Sequence, residues 1–160
     1  MSGQPKIKPS VYAERKYNAT ELVDFDMGIE YSGALLAIAG AEGELADAEL
    51  QWYIDEVLLM GVTQEYVDAI RKIDWQNVNI EEVLSKVNFD FPLNVKRSLL
   101  YQAIKMSRAD GLYHEKEKAA VARAAEILGV EQSVVKSIES IAELEDSTAQ
   151  LLRSILSSNL

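Results

Sequence analysis

Apolar residues recur along this chain in steps of three and four, and glycines rather than alternating polar positions break the pattern. Asn18 and Glu21 stand at capping-box spacing, and Leu22, Phe25, Ile29 and Leu36 follow, which predicts a first helix from about Ala19. Its second half, Gly33, Ala34, Ala37, Ala39 and Gly40, is small on nearly every side, as a central helix closely approached by its neighbours would be. Leu50, Tyr53, Ile54, Val57 and Leu58 trace the next apolar face. Gly61 and Val62 read as a left-handed cap, and Thr63 opens a short helix through Val67, Ile70 and Ile73. Asn79 and Glu82 start a connecting helix at about 79–87. Pro92 suits the first turn of a helix carrying Leu99, Leu100, Ala103, Ile104 and Met106. Helices through Val121–Leu128 and Val134–Ile141 follow, and Asp146 or Ser147 caps a last one at about 146–157. No segment alternates with period two. The expected fold is all-α, a single helical-bundle domain of about seven to eight helices over residues 19–160. Residues 1–18, with two of the three prolines and no apolar period, read as a mobile basic arm.

The chain also repeats itself. Ala41–Ile70 lies over Ala109–Ile138 without a gap. Ala41, Gly43, Glu49, Gly61, Val62, Gln64, Val67 and Ile70 meet identical residues at Ala109, Gly111, Glu117, Gly129, Val130, Gln132, Val135 and Ile138. The matches fall on the punctuating glycines, the acids after them and the apolar face of the short helix. Those are the positions a duplicated helical unit needs if each copy buries its face on the other. The two repeats span about 31–73 and 99–141.

Each copy carries an acid, a glycine, and a glutamate six positions after the glycine. One reading is a turn followed by a helix start: the glycine takes a positive φ, and the glutamate sits in the first turn and reaches back to the cap. The other is that Asp110 and Glu117, with Glu42 and Glu49, offer oxygen ligands to a hard divalent cation. Asp47, Glu115 and His114, the chain's one histidine, stand beside them and complete the candidate metal set. An EF-hand is excluded, because its preceding ligand positions fall on Met106 and Arg108 in one copy and Ile38 and Gly40 in the other. Calcium and zinc are the candidate ions.

Charge sharpens this picture. Between Tyr17 and Ile70 there is no Lys, Arg or His, against twelve Asp and Glu; beyond Ile70, 12 Lys and Arg face 13 Asp and Glu. With a net charge of −10, the acidic half attracts cations or basic protein faces and repels nucleic acid. Arg97, Tyr101, Lys105 and Arg108 share one helical stripe, suited to contacts within the domain or between molecules. Asp26 and Glu30 form an acidic stripe, and Trp52 and Trp75 are expected in the core. The absence of cysteine removes disulfides, thiolate metal sites and cysteine nucleophiles. No nucleophile with a base is discernible, so no enzyme is expected. The N-terminus lacks a signal-type apolar core, which makes the cytoplasm the expected compartment.

Met106-Ser107-Arg108-Ala109-Asp110-Gly111 with Glu117 and Leu128-Gly129-Val130, together with Ala39-Gly40-Ala41-Glu42-Gly43 and Glu49, resemble the TerB family of tellurite resistance and stress response. The resemblance covers about Ala19 to Ile141. It implies a helical fold with internal pseudo-symmetry and a non-enzymatic module that binds metal through its acids. It also implies docking onto proteins of a stress-response system, some at the inner membrane surface. The family's aspartate falls on Asp110 and its helix-start glutamate on Glu117; in the first copy Glu42 replaces the aspartate while Glu49 matches. The alternative is a structural adaptor that holds its partner in an apolar groove without metal. A homo-oligomer is compatible with either.

Overall fold

A computed structural model describes residues 6–41, 43–86 and 94–158. Within them the chain forms α1 (Val11–Tyr17), α2 (Phe25–Ala39), α3 (Asp47–Met60), α4 (Gln64–Arg71), α5 (Ile80–Lys86), α6 (Val95–Arg108), α7 (Glu115–Leu128) and α8 (Gln132–Leu156), with a 3-10 turn at Trp75–Asn77. The fold is all-α; the β-structure among the described residues is an antiparallel bridge between Ile7 and Val23. The turn assigned to Pro92 lies outside the described residues, and α6 starts under an Asn94 cap.

The duplication is carried into space. α2, α3 and α4 correspond to α6, α7 and the first turns of α8. α2 and α6 pack on each other at the centre, α3 lies on α6, and α7 lies on α2. Each copy therefore covers the first helix of the other with its own second helix. The shared core holds Leu35, Leu36, Ile38, Tyr53, Leu99, Leu100, Ile104, Met106 and Val121. The small residues of α2 do what the pattern required: a side chain at Gly28 would strike the Tyr66 ring, and one at Gly40 the Trp75 ring. Trp52 and Trp75 pack half-buried against the core.

Three expectations are corrected. First, residues 6–18 are built into the domain. Ile7 and Val23 exchange two backbone hydrogen bonds of 2.8 Å, and the Ser10 amide donates to the Met60 carbonyl. α1 lies on α3, where the buried Glu56 carboxylate accepts from the Tyr12 and Tyr17 hydroxyls at 2.6 and 2.5 Å and pairs with Lys16 at 2.7 Å. A polar anchor some forty residues away leaves no apolar period in the arm to read. Second, Asn18 closes α1 in the left-handed region (φ 56°) instead of opening a helix. Val23 is held extended by its bridge, so the next helix waits for the Asp24 cap. Third, the two expected C-terminal helices are one, α8. Ala142 to Glu145 are strong helix formers, and the Asp146 carboxylate, expected as a cap, is taken by Lys105 at 2.5 Å and Arg108 at 2.8 Å.

Replacing Glu56 with alanine strands the Tyr17 hydroxyl and the Lys16 ammonium against α3. The variant should lose roughly 2–3 kcal/mol in urea unfolding. Limited proteolysis should cut between Ile7 and Asn18 well before the rest of the chain.

Candidate functional site

α3 and α7 open at equivalent points of the two copies. Gly43 and Gly111 precede them with φ of 103° and 88°, and open space lies where a side chain would stand, so it is the backbone angle that calls for glycine there. Ala46 and His114 take the N-cap positions in extended conformation, and neither caps with its own side chain. The glutamate three residues on does so instead. The Ala46 amide donates to Glu49 Oε1 at 3.1 Å, and the His114 amide to Glu117 Oε1 at 3.2 Å.

This much satisfies the turn-and-cap reading, yet it uses only half of each carboxylate. Glu49 and Glu117 are 2% and 0% exposed, and the second oxygen of each is buried with no hydrogen-bond partner. The two carboxyls face one another. Burial pushes Glu49 up to about 8; the Ala46 amide pulls against that, and Glu117 within hydrogen-bonding reach, followed by Asp110, raises it further. Near neutral pH Glu49 therefore keeps its proton in the cation-free protein.

The other candidates are placed less centrally. Asp110 Oδ1 accepts from the Leu112 amide at 2.9 Å, and Oδ2 lies 3.9 Å from His114 Nε2. His114 is half-buried at the cap. Asp47 is exposed on α3, and Glu115 points outward with its oxygen 3.4 Å from Lys118. Glu42 lies outside the described residues. Among the described residues no three His, Asp or Glu side chains converge as a ready cation cage. The geometry thus singles out a pair, Glu49 and Glu117, with Asp110 close enough to raise Glu49.

Two polar atoms escaped the sequence reading. Ser107 Oγ and the Tyr113 hydroxyl are buried without partners. Burial, then Glu139 and Glu117, hold the Tyr113 phenol well above its ordinary value. Its copy-one counterpart is Leu45, so the duplication gave no cue to it. A groove of about 580 Å³ is lined by Ala48, Trp52, Arg108, Gly111 and Tyr113 among others, and neither Glu49 nor Glu117 reaches it. Three residues of the expected stripe serve inside the domain, with Tyr101 donating to Glu145 at 2.7 Å and Lys105 and Arg108 holding Asp146, while Arg97 is exposed. Asp26 and Glu30 lie exposed. A second cavity, about 80 Å³ and lined by Ile7, Tyr17, Tyr31 and Gln102, lies behind the N-terminal segment. There the Tyr31 hydroxyl donates to Gln102 and the Tyr17 hydroxyl to Glu56.

A duplicated all-α domain whose two helix-start glutamates meet inside the interface defines a recognisable class. The family model described as Tellurite resistance protein TerB matches residues 32–140, and the chain belongs to that family. It is also similar to the crystal structure of a tellurite resistance protein from Nostoc punctiforme, with 24% identity, a TM-score of 0.76 and 92% of each chain covered. That likeness supports the fold. No curated protein matches the chain. Among the described residues, no helix is long and apolar enough to cross a membrane.

The raised Glu49 value has a sign. Above the ordinary glutamate value of 4.5 the unfolded chain releases a proton that the folded chain keeps up to about 8. The stability of cation-free protein should therefore decline as pH rises from about 5 to about 8 in urea titrations. Glu49→Gln, which keeps the capping oxygen and shape but has no proton to lose, should flatten that decline.

Proposed function

We propose that this chain is a non-enzymatic tellurite-resistance module whose Glu49–Glu117 pair binds a divalent cation between its two copies. One observation carries the reading: each glutamate is buried, caps its own helix with one oxygen and keeps a second oxygen without a partner, and the two carboxyls lie within hydrogen-bonding reach of each other. Capping alone gives no reason to bring two anions together where water cannot screen them. A divalent ion does, because it replaces the Glu49 proton and satisfies both orphaned oxygens.

The donor chemistry narrows the ion. Carboxylate oxygens suit a hard cation, which favours calcium over zinc. Asp110, exposed enough to move, is the nearest further carboxylate; water and backbone carbonyls would complete the shell. The burial of the pair fits an ion rather than an organic substrate. Acids elsewhere in the first half of the chain, Asp26, Glu30, Asp55 and Asp68 among them, are exposed and offer a basic partner protein a second attachment.

Calcium should raise the melting temperature of the protein. It should do so more at pH 8 than at pH 6, since the ion must displace a proton. The double variant Glu49→Gln, Glu117→Gln keeps both caps and should lose the calcium response while remaining folded. A melting temperature indifferent to calcium, zinc and other divalent ions would sink the proposal; a response that survives the double variant would move the ion elsewhere.

A further inference from the structure

α8 carries an apolar stripe that the rest of the fold does not cover. The helix runs 25 residues, yet its buried residues, Val135, Ile138 and Ala142, all lie in its first half. Beyond them Ile141, Leu144, Leu151, Leu152, Ile155 and Leu156 are between 51% and 74% exposed. Ile141, Leu144, Thr148, Leu151 and Ile155 succeed one another in alternating steps of three and four, the spacing of a coiled-coil seam.

The stripe is held outward by polar contacts on the neighbouring face. Glu145 accepts from Tyr101, and Asp146 is gripped by Lys105 and Arg108, so the helix is fixed to α6 at the point where its apolar contacts with the domain end. A frayed or wandering terminus would not need those ion pairs. They keep the seam rigid and presented to solvent.

We propose that this seam packs against the same seam of a second copy, forming a homodimer through the C-terminal halves of two α8 helices. The repeat is self-complementary, as an isologous contact requires. Charge selects the same occupant. The chain carries a net charge of −10, so two copies repel in general, but the positions flanking the seam, Ser140, Glu145, Ser147, Leu152 and Ser154, hold a single carboxylate. That carboxylate is bonded to Tyr101 and lies 3.8 Å from Lys105. The area agrees as well. The six side chains leave on the order of 600 Å² of apolar surface per chain, the upper end of what monomers expose and near the per-partner area of stable complexes. An anionic membrane is a poorer occupant, because Glu139, Glu143, Glu145 and Asp146 ride on the same helix.

Sedimentation equilibrium of the full chain, from low to high micromolar and with and without chelator, decides the matter. Wild type should approach the mass of two chains in both conditions. Leu144→Glu with Leu151→Glu, both at exposed positions, should stay at the mass of one chain with unchanged helicity per residue. Thr148→Leu, which fills the one polar seam position, should tighten the dimer about tenfold. A wild type that remains monomeric throughout would overturn the proposal. So would a dimer that survives both glutamates, a dimer that chelator dissolves, or a monomer whose α8 stripe instead binds lipid vesicles.

Discussion

Two acidic side chains brought face to face in a water-poor interface must share something, and the centre of this protein is arranged around that constraint. A single buried glutamate can be neutralised by keeping its proton; two in contact form a unit whose charge is set jointly. The duplication creates the unit automatically. Each copy begins its second helix with a glutamate that reaches back to the cap, and each copy lays that helix on the other's first helix. Packing the apolar faces together therefore brings the two helix starts together. The raised Glu49 value at that point links the protein's stability to pH.

The acidic half of the chain is managed differently at its second buried carboxylate. Glu56 is matched by a lysine and two phenols from α1, so it serves as an anchor with its hydrogen-bonding capacity filled. Glu49 and Glu117 are left with unfilled oxygens. The fold thus holds one buried carboxylate with its hydrogen-bonding capacity filled and two with an oxygen left over. The same logic applies to Asp146, whose two basic partners on α6 secure α8 while its apolar seam faces away.

Duplication also explains where the two copies diverge. α4 ends at Arg71 and hands over to the Trp75 turn and α5, whereas its counterpart continues as the 25-residue α8. The first copy thus stays inside the domain, its helices covered by α1 and α5. The second copy extends past it and exposes a new surface. One helical unit, used twice, gives one closed end and one open end.

The all-α class, the two-copy arrangement, the glycine turns and the capping role of Glu49 and Glu117 could be read from the residues alone. Helical period, positive-φ glycines and capping spacings are short-range signals, and a gapless repeat makes each of them count twice. The integration of residues 6–18, the late start of α2 at Phe25, the continuity of α8 and the meeting of the two glutamates were decided only by the tertiary structure. Each depends on partners dozens of residues away: Glu56 for α1, Ile7 for Val23, Lys105 and Arg108 for Asp146, and one copy's helix start for the other's. A chain can state that a carboxylate caps its own helix, because that bond spans three residues. Which way the remaining oxygen faces is settled by what the completed fold sets against it.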